Sequence, residues 1–345
     1  MFIRGCSYLG SITGMCTGSC RFPRGIHTGL EKIFRRMGVM RNITVQNVAR
    51  DYFGSLAYRN LSDVSRQSYA YNIETALNTR VEGQLLGYMK ANTLRIPTAQ
   101  KAYHRWAERK GKKTIPFANH VKASMNKAFN HAIQVGLIEN NPFSKITLLS
   151  HNPRKKVWQV DQVKKFLQTA YDKFEYRSVG VIFHLMYVWC QRPGDIRLLT
   201  FDQYDFDKKV LTLQQSKRRA EVYLPSNDEI HKILVQQKED IGFQKYVAPK
   251  IIRGEVTSEP YCKITLGTKA RKIREEAGLP SDLWIMDMRR TGTTEMVEAG
   301  VPIGQIMSVT GHANPQSLKP YMKNTLTSAT EACRLRLKAG GGGIL

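Results

Sequence analysis

Residues 309–321 read VTGHANPQSLKPY, with His312 standing nine positions before Tyr321. Three earlier segments each present a cation: WCQRPGDIRLL at 189–199 around Arg192, QQSKRR at 214–219 around Lys217, and MDMRRT at 286–291 around Arg289. None of these residues is informative alone, since the chain has 15 tyrosines and 53 Lys and Arg residues. Their joint order and spacing indicate one site assembled from four segments.

This set of side chains suits phosphodiester cleavage without a metal ion or an activated water. A phenolate at Tyr321 can hold the cut strand covalently and keep the bond energy for rejoining. The planar guanidinium groups of Arg192 and Arg289 can each donate two hydrogen bonds to non-bridging phosphate oxygens. Lys217 can protonate the leaving 5′ oxygen as a general acid, and His312 can hydrogen-bond the phosphate.

The four segments resemble those of the tyrosine recombinase (phage integrase) family, over about residues 43–323. The resemblance implies a site-specific DNA recombinase that forms a covalent 3′-phosphotyrosine, serving integration or excision of a phage or other mobile element. Two rival functions stay open at this point, a type IB topoisomerase-like nicking-closing enzyme and a DNA-binding regulator with weakened chemistry. The catalytic residues that the resemblance implies are Arg192, Lys217, Arg289, His312 and Tyr321, with Asp195 as the acidic residue three positions after the first arginine.

One position departs from the family pattern. The family usually has a histidine three residues before the second arginine, and this chain has Met286 there. A thioether does not exchange protons, so either His312, the Asp287 carboxylate or a water takes that role, or turnover is slow. Asp195, Met286 and Asp287 are therefore candidates for supporting roles. We expect Met286 itself to be an ordinary packing residue beneath the site.

The charge of the chain points to a polyanionic partner. Its 345 residues carry a formal net charge of +25, far more than solubility requires, and nucleic acid is the commonest partner of so basic a protein. The surplus is uneven, because residues 1–156 account for +18 and the remaining 189 residues for +7. We therefore expect the first half to be the stronger DNA clamp.

Two basic segments are candidates for contact with the DNA backbone. The densest is KAYHRWAERKGKK at 101–113, and the second is the linker SHNPRKK at 150–156. A solvated helix face would explain part of this charge, but phosphate contacts explain why so many like charges are held together. The predicted DNA-binding residues are Lys101, Arg105, Arg109, Lys110, Lys112, Lys113, Arg154, Lys155 and Lys156.

The apolar spacing predicts a mainly α protein with a small antiparallel β-sheet, an α+β fold. Helical periodicity runs through residues 43–150, which the resemblance implies to be a core-binding domain, and a linker follows at 151–156. A tyrosine-recombinase-like catalytic domain is expected at 157–338, with a buried helix near residues 181–188, a hairpin that carries Lys217 near its tip, and a helix that carries Tyr321. Residues 1–42 are expected to form an N-terminal arm, either DNA-contacting or partly disordered, and residues 339–345 a disordered tail.

The cysteines and the hydropathy of the chain bear on metal binding and on where the protein acts. Cys6, Cys16 and Cys20 cluster with His27, but no CxxC spacing supports a zinc knuckle, so no metal or cofactor is expected. We find no signal-peptide pattern and no apolar run long enough for a bilayer, which predicts a protein of the host cytoplasm acting on DNA. The expected partners are double-stranded attachment sites, three further copies of the chain in a tetramer on paired DNA, and, as a further candidate, a host or phage DNA-bending factor.

Overall fold

A computed structural model describes residues 42–109, 111–152, 154–217, 219–322, 326–339 and 341, with the backbone alone at 109, 112, 113 and 326–328. The chain divides into two compact units, Met1–Pro153 and Arg154–Leu345. Nearly all of the predicted N-terminal arm, with its three cysteines, lies outside the described residues, as do Lys110 and most of the predicted tail.

The first unit is a set of helices around one apolar core. It contains α1 (Val45–Gly54), α2 (Leu56–Arg59), α3 (Asp63–Leu77), α4 (Ile96–Ala107) and α5 (Ile115–Gln134). Two short hairpins interrupt the helices, β1 (Arg80–Val81) with β2 (Gln84–Leu85) and β3 (Glu108–Arg109) with β4 (Lys112–Lys113). The core is built from the helical stripes of the sequence, with Val48, Ile73, Val121 and Phe129 fully buried.

The second unit is larger and mixes helices with short antiparallel sheets. Its elements are α6 (Val160–Tyr171), α7 (Phe174–Val188), α8 (Pro193–Ile196), β5 (Tyr204–Asp205), β6 (Val210–Gln214), β7 (Glu221–Pro225), α9 (Asp228–Ile241), β8 (Pro249–Ile252), β9 (Glu255–Pro260), α10 (Lys263–Glu276), α11 (Met288–Glu298), α12 (Ile303–Thr310) and α13 (Leu326–Lys338). Strands β5, β6 and β7 form one sheet in that order, and β8 pairs with β9. The predicted mainly α architecture with a small antiparallel sheet is confirmed.

Helix α7 is the centre of the second unit. Its residues from Ser178 to Met186 are all buried, so the prediction of a core helix from the apolar run is confirmed. The Phe183 ring stacks on Phe166 of α6 with ring centroids 4.0 Å apart, and Trp158 packs edge-on against both. Burying such rings stabilises the unit by roughly 1.5–3 kcal/mol each. This packing holds α7 in place, and Arg192 follows shortly after the end of that helix.

The predicted hairpin is confirmed to within one residue. Strands β6 and β7 pair from Val210 opposite Pro225 to Gln214 opposite Glu221. The sequence predicted strands at 210–214 and 220–224. Leu211 and Leu213 face inward while the residues between them are exposed, as the period of two in a strand requires. Lys217 lies in the exposed turn that joins the two strands.

The backbone around Tyr321 differs from the sequence expectation of a tyrosine-bearing α-helix. Residues Pro315–Tyr321 form a 3₁₀ helix that ends at the tyrosine. Pro320, inside this segment, explains the difference, because a proline has no N–H for an α-helical hydrogen bond and its ring clashes with the preceding turn. Helix α13 begins only at Leu326.

None of the helices in the described ranges combines the length and the apolar character needed to cross a bilayer.

Candidate active site

Arg192 lies where α7 gives way to α8. It is the N-cap residue of α8, and its Nη1 donates a hydrogen bond of 2.7 Å to Oε1 of Gln215. The same nitrogen lies 3.9 Å from Oδ2 of Asp195, whose carboxylate is buried. This long ion pair neutralises Arg192 only in part, so the guanidinium keeps donor capacity toward a ligand.

Asp195 connects α8 to the Lys217 hairpin. Its Oδ1 accepts a hydrogen bond of 3.1 Å from the backbone N–H of Ser216. Ser216 directly precedes Lys217, whose side chain is exposed. The carboxylate therefore anchors the base of the turn while the lysine at its tip extends into solvent.

Arg289 is buried at the start of α11, with 7% of the residue exposed. Its Nη2 donates to the carbonyl of Thr310 at 2.7 Å and lies 3.3 Å from Nε2 of His312. Its Nη1 is buried and has no hydrogen-bond partner among the described residues. Burial first, and repulsion from Arg192 second, lower the pKa of Arg289 to about 10.

A buried cation without an anion is costly. Arg289 remains charged at neutral pH because its pKa is still well above 7. The arrangement therefore fits a site that is completed by an anion placed between the two arginines.

His312 follows the left-handed residue Gly311, which ends α12 at φ +67°. The Thr310 hydroxyl donates its single proton to the Ile306 carbonyl at 2.7 Å, so it can only accept from Nδ1 of His312, which lies 2.7 Å away. Nδ1 therefore carries the proton in the neutral ring, and Nε2 is an acceptor that faces Arg289.

Tyr321 is half-buried beside this histidine, with the two ring centroids 6.2 Å apart. The guanidinium carbon of Arg290 lies 5.3 Å from the centre of the tyrosine ring. A cation over a phenol ring holds the ring in place and stabilises negative charge that develops on it. The structure thus brings Arg192, Arg289, His312 and Tyr321 into one part of the second unit.

Comparison with known proteins gives the family of this chain. The sequence model of the phage integrase family matches residues 156–327, the range that holds all four motif segments. The chain belongs to the phage integrase family. It is a site-specific tyrosine recombinase, and no curated protein matches it in sequence.

Solved structures of other integrases share its fold. The Tn1549 transposon integrase in complex with a circular intermediate DNA is 19% identical with a TM-score of 0.70, over 85% of this chain and 99% of that one. A lambda integrase dimer bound to a COC′ core site is 16% identical with a TM-score of 0.69, over 87% and 85% of the two chains. A lambda integrase tetramer bound to a Holliday junction is also 16% identical, with a TM-score of 0.67 over 84% and 86%.

The expectation that Met286 packs beneath the recombinase site is wrong. The residue is 62% exposed. Residues Ile285–Asp287 form a single 3₁₀ turn that buries Ile285 and Asp287 and directs the residue between them outward. Met286 is therefore not a core packing residue, and its exposed position leaves room for a histidine.

Asp287, the other candidate for proton transfer, is already engaged. Its Oδ1 accepts from Nε of Arg154 at 3.1 Å, and its Oδ2 accepts from Nη2 of the same arginine at 2.5 Å and from the backbone N–H of Trp284 at 3.1 Å. Both oxygens of this carboxylate are therefore occupied by hydrogen-bond donors. Its geometry suits holding the turn that leads into Arg289.

The predicted DNA-binding cations have varied surroundings. Lys101 and Arg105 are on the exposed side of α4, whereas two aromatic residues of the same helix, Tyr103 and Trp106, are core residues. Lys101 pairs with Glu82 at 2.7 Å, and Arg105 donates to the Arg80 carbonyl. Arg109, Lys112 and Lys113 lie in the β3–β4 hairpin, and Lys110 lies outside the described residues.

The predicted DNA-binding cations of the second unit are mostly paired. Arg154 lies over the Trp284 ring and pairs with Asp287, and Lys156 pairs with Asp282 at 2.8 Å, whereas Lys155 is exposed.

Gln215 was not singled out from the sequence. It is fully buried, and its side chain contacts Arg192, Gln191 and the Thr310 carbonyl. The sequence does indicate that residue 215 faces inward. The inward positions of β6 are Leu211 and Leu213, and the same period of two puts residue 215 on the inner side. A polar residue at an inward position beside Lys217 indicates a buried hydrogen-bond network.

The described residues contain no group of three or more His, Cys, Asp or Glu side chains arranged to hold a metal ion.

Proposed function

We propose that this recombinase cuts and rejoins duplex DNA at specific attachment sites through a covalent 3′-phosphotyrosine on Tyr321, and so integrates or excises a phage or other mobile element. The observation that carries the proposal is the buried Nη1 of Arg289, which has no partner among the described residues. A scissile phosphate supplies the anion that this nitrogen lacks and that Asp195 provides to Arg192 only in part.

Each side chain of the site has one role in the proposed reaction. The Tyr321 oxygen attacks phosphorus, the bond from phosphorus to the 5′ oxygen breaks, and Lys217 gives its proton to that leaving oxygen. Arg192 and Arg289 bind the non-bridging oxygens, where negative charge accumulates. His312 accepts the tyrosine proton on Nε2, the nitrogen that is unprotonated in the neutral ring. The reverse steps rejoin the strand.

Duplex DNA is the proposed partner of both units. The net charge of +25 supports this, as do the integrase structures of the same fold that were solved on DNA. Exchange between two duplexes needs four strand cuts, so we infer a homotetramer on paired sites. The structure of lambda integrase as a tetramer on a Holliday junction supports this assembly. Helix α13, which exposes Leu335 and Leu337, is the proposed segment exchanged between neighbouring subunits.

The test uses Tyr321→Phe and a suicide duplex that traps the covalent complex. Direct repeats flanking the gene supply the candidate attachment site. We expect the parent to form an SDS-resistant adduct with a free 5′ hydroxyl, and Tyr321→Phe to bind the duplex equally well without forming one. Tyr223→Phe, at an exposed tyrosine of β7, is the matched control and should react like the parent. An adduct in Tyr321→Phe would refute the assignment of the nucleophile.

Pairing of two duplexes separates recombination from simple nicking and closing. The parent should join two attachment-site duplexes into a recombinant product. If it instead relaxed any supercoiled plasmid and joined no sites, the proposed recombination of attachment sites would be wrong.

A further inference from the structure

The side-chain amide of Gln215 has every hydrogen-bonding group occupied inside the protein. Its Oε1 accepts from Nη1 of Arg192 at 2.7 Å. Its Nε2 donates to Oε1 of Gln191 at 2.7 Å and to the Thr310 carbonyl at 2.8 Å. The residue is 0% exposed, so no water competes for these bonds.

The neighbours of Gln215 permit only one orientation of its amide. A flipped amide would turn its NH₂ group toward the Arg192 donor and its oxygen toward two other oxygens. The Gln191 amide is fixed as well, because its Nε2 donates to the carbonyls of Trp189 and Val309, both at 2.7 Å. A fully satisfied buried network of this kind is rigid.

The Thr310 carbonyl connects Gln215 to the second arginine. This single oxygen accepts from Nε2 of Gln215 at 2.8 Å and from Nη2 of Arg289 at 2.7 Å. A continuous chain of hydrogen bonds therefore runs from Arg192 through the amide and the carbonyl to Arg289. Both ends are cations that repel each other, and after burial this repulsion is the second cause of the lowered pKa of Arg289.

Gly311 gives Gln215 the room to reach this carbonyl. A Cβ at residue 311 would come within 2.5 Å of Nε2 of Gln215. The glycine also has φ +67°, a conformation that other residues rarely adopt. A glycine is therefore needed at position 311 both for the left-handed backbone before His312 and for the space that the Gln215 side chain occupies.

We propose that Gln215 is the positioning residue that holds Arg192 and Arg289 at the separation needed to bind the two non-bridging oxygens of one phosphate. This inference rests on the proposed function. Gln215 lies two residues before Lys217, yet its side chain bonds to none of the groups that shape the turn, whose base is held by Asp195 through the Ser216 N–H. Its role is therefore in charge stabilisation and not in protonation of the leaving oxygen.

The two roles are separable by the leaving group of the substrate. In a 5′-bridging phosphorothiolate, sulfur replaces the 5′ oxygen, and the bond from phosphorus to sulfur breaks to release a thiolate. A thiol has a pKa near 8.5, so the thiolate departs without a proton. A defect in the general acid disappears with this substrate, whereas a defect in binding the non-bridging oxygens persists.

The experiment is single-turnover cleavage of the oxygen and sulfur substrates by Gln215→Met and Gln215→Glu. Met keeps the volume and removes all three hydrogen bonds. Glu keeps the acceptor for Arg192 but turns a second oxygen toward Gln191 and the Thr310 carbonyl. We expect both variants to cleave about 10- to 100-fold more slowly, because a misplacement of about 1 Å can reduce a rate by 10². The defect should persist with the sulfur substrate, as in Arg192→Ala, while the defect of Lys217→Ala should vanish.

Gln237→Met is the matched control for loss of a buried amide. Gln237 is 1% exposed in α9, where its Nε2 donates to the Val247 carbonyl. This variant should lose stability like Gln215→Met but cleave both substrates at the parent rate. Parent-like cleavage by Gln215→Glu or Gln215→Met would overturn the proposal, as would a defect that the sulfur substrate removes. Thermal unfolding confirms which variants are folded before the rates are compared.

A second measurement separates failure of this inference from failure of the proposed function. Sulfate binding to the free protein requires the arginines but not Tyr321 as a nucleophile. We expect the rise in unfolding temperature with sulfate to be smaller in Gln215→Met and Arg192→Ala than in the parent, Tyr321→Phe and Gln237→Met. An equal rise in Gln215→Met and Gln237→Met would refute the positioning role even if no variant formed an adduct.

Discussion

Replacing Arg289 by methionine should separate two effects of this residue: it accelerates DNA cleavage, and it destabilises the fold when no DNA is bound. The side chain is buried, its Nη1 has no partner among the described residues, and Arg192 repels it. Met fills similar volume without charge. We expect Arg289→Met to be at least as stable as the parent without DNA and to cleave DNA about 10²- to 10³-fold more slowly, the loss seen when one donor to a developing oxyanion is removed.

The stability estimate follows from the lowered pKa. Burial, and then repulsion from Arg192, lower the pKa of Arg289 from its ordinary value to about 10, and about 1.4 kcal/mol per pKa unit gives a cost of roughly 3 kcal/mol. The unfolded chain holds the proton more tightly, so this destabilisation is fully present below about pH 10 and disappears only above the ordinary pKa of arginine. Loss of the charged hydrogen bond to Thr310 removes roughly 1.5–3 kcal/mol of stabilisation. The net change is an unfolding free energy that is unchanged or raised by up to about 1.5 kcal/mol.

The assay is urea unfolding at pH 7 followed by tryptophan fluorescence, together with single-turnover cleavage. Three of the four tryptophans, Trp158, Trp189 and Trp284, belong to the second unit, so the signal reports mainly on the unit that contains the site. Arg274→Met is the matched control, because Arg274 is also buried but donates to the carbonyls of Ser281 and Leu283. That variant should be destabilised. A loss of more than about 2 kcal/mol in Arg289→Met would refute the view that its charge is an uncompensated cost awaiting phosphate.

Three further perturbations test other parts of the site. Met286→His should raise the cleavage rate near neutral pH by up to about tenfold, because general base catalysis is worth about 10²–10⁴ and other groups already supply part of it; a rate equal to the parent from pH 6 to 9 would show that this position has no part in proton transfer. Arg290→Gln should slow cleavage about two- to fivefold through loss of the cation over the Tyr321 ring, with Arg290→Lys less affected; equal rates in both and in the parent would count against the contact. Neutralising Lys101 and Arg105 should weaken DNA binding and reduce the slope of log affinity against log salt concentration by about one unit per phosphate contact. Cleavage in bound complexes should stay at the parent rate. An unchanged slope would show that these two residues do not contact the DNA backbone.

Elements with strong local patterns were predictable from the sequence. The nearly continuous apolar run predicted α7 as a core helix, and the alternation of Leu211 and Leu213 predicted the β6–β7 hairpin with Lys217 in its turn. These patterns work because helix and strand periods are properties of the local backbone. The order of Arg192, Lys217, Arg289, His312 and Tyr321 indicated the family because covalent order is visible in the sequence.

Only the tertiary structure decided how those residues are held. Gln215 meets Gln191 across 24 positions and the Thr310 carbonyl across 95, and Arg154 reaches Asp287 across 133. No local period encodes such pairings, since they depend on how the helices and the hairpin pack. The exposure of Met286 and the 3₁₀ helix at Tyr321 also differ from the expectation, but their causes are local: a turn that buries the two residues flanking Met286, and Pro320 inside the helix that ends at Tyr321. The sequence by itself determined which chemistry the chain carries, and packing determined the buried amide and carbonyl that set the distance between its two arginines.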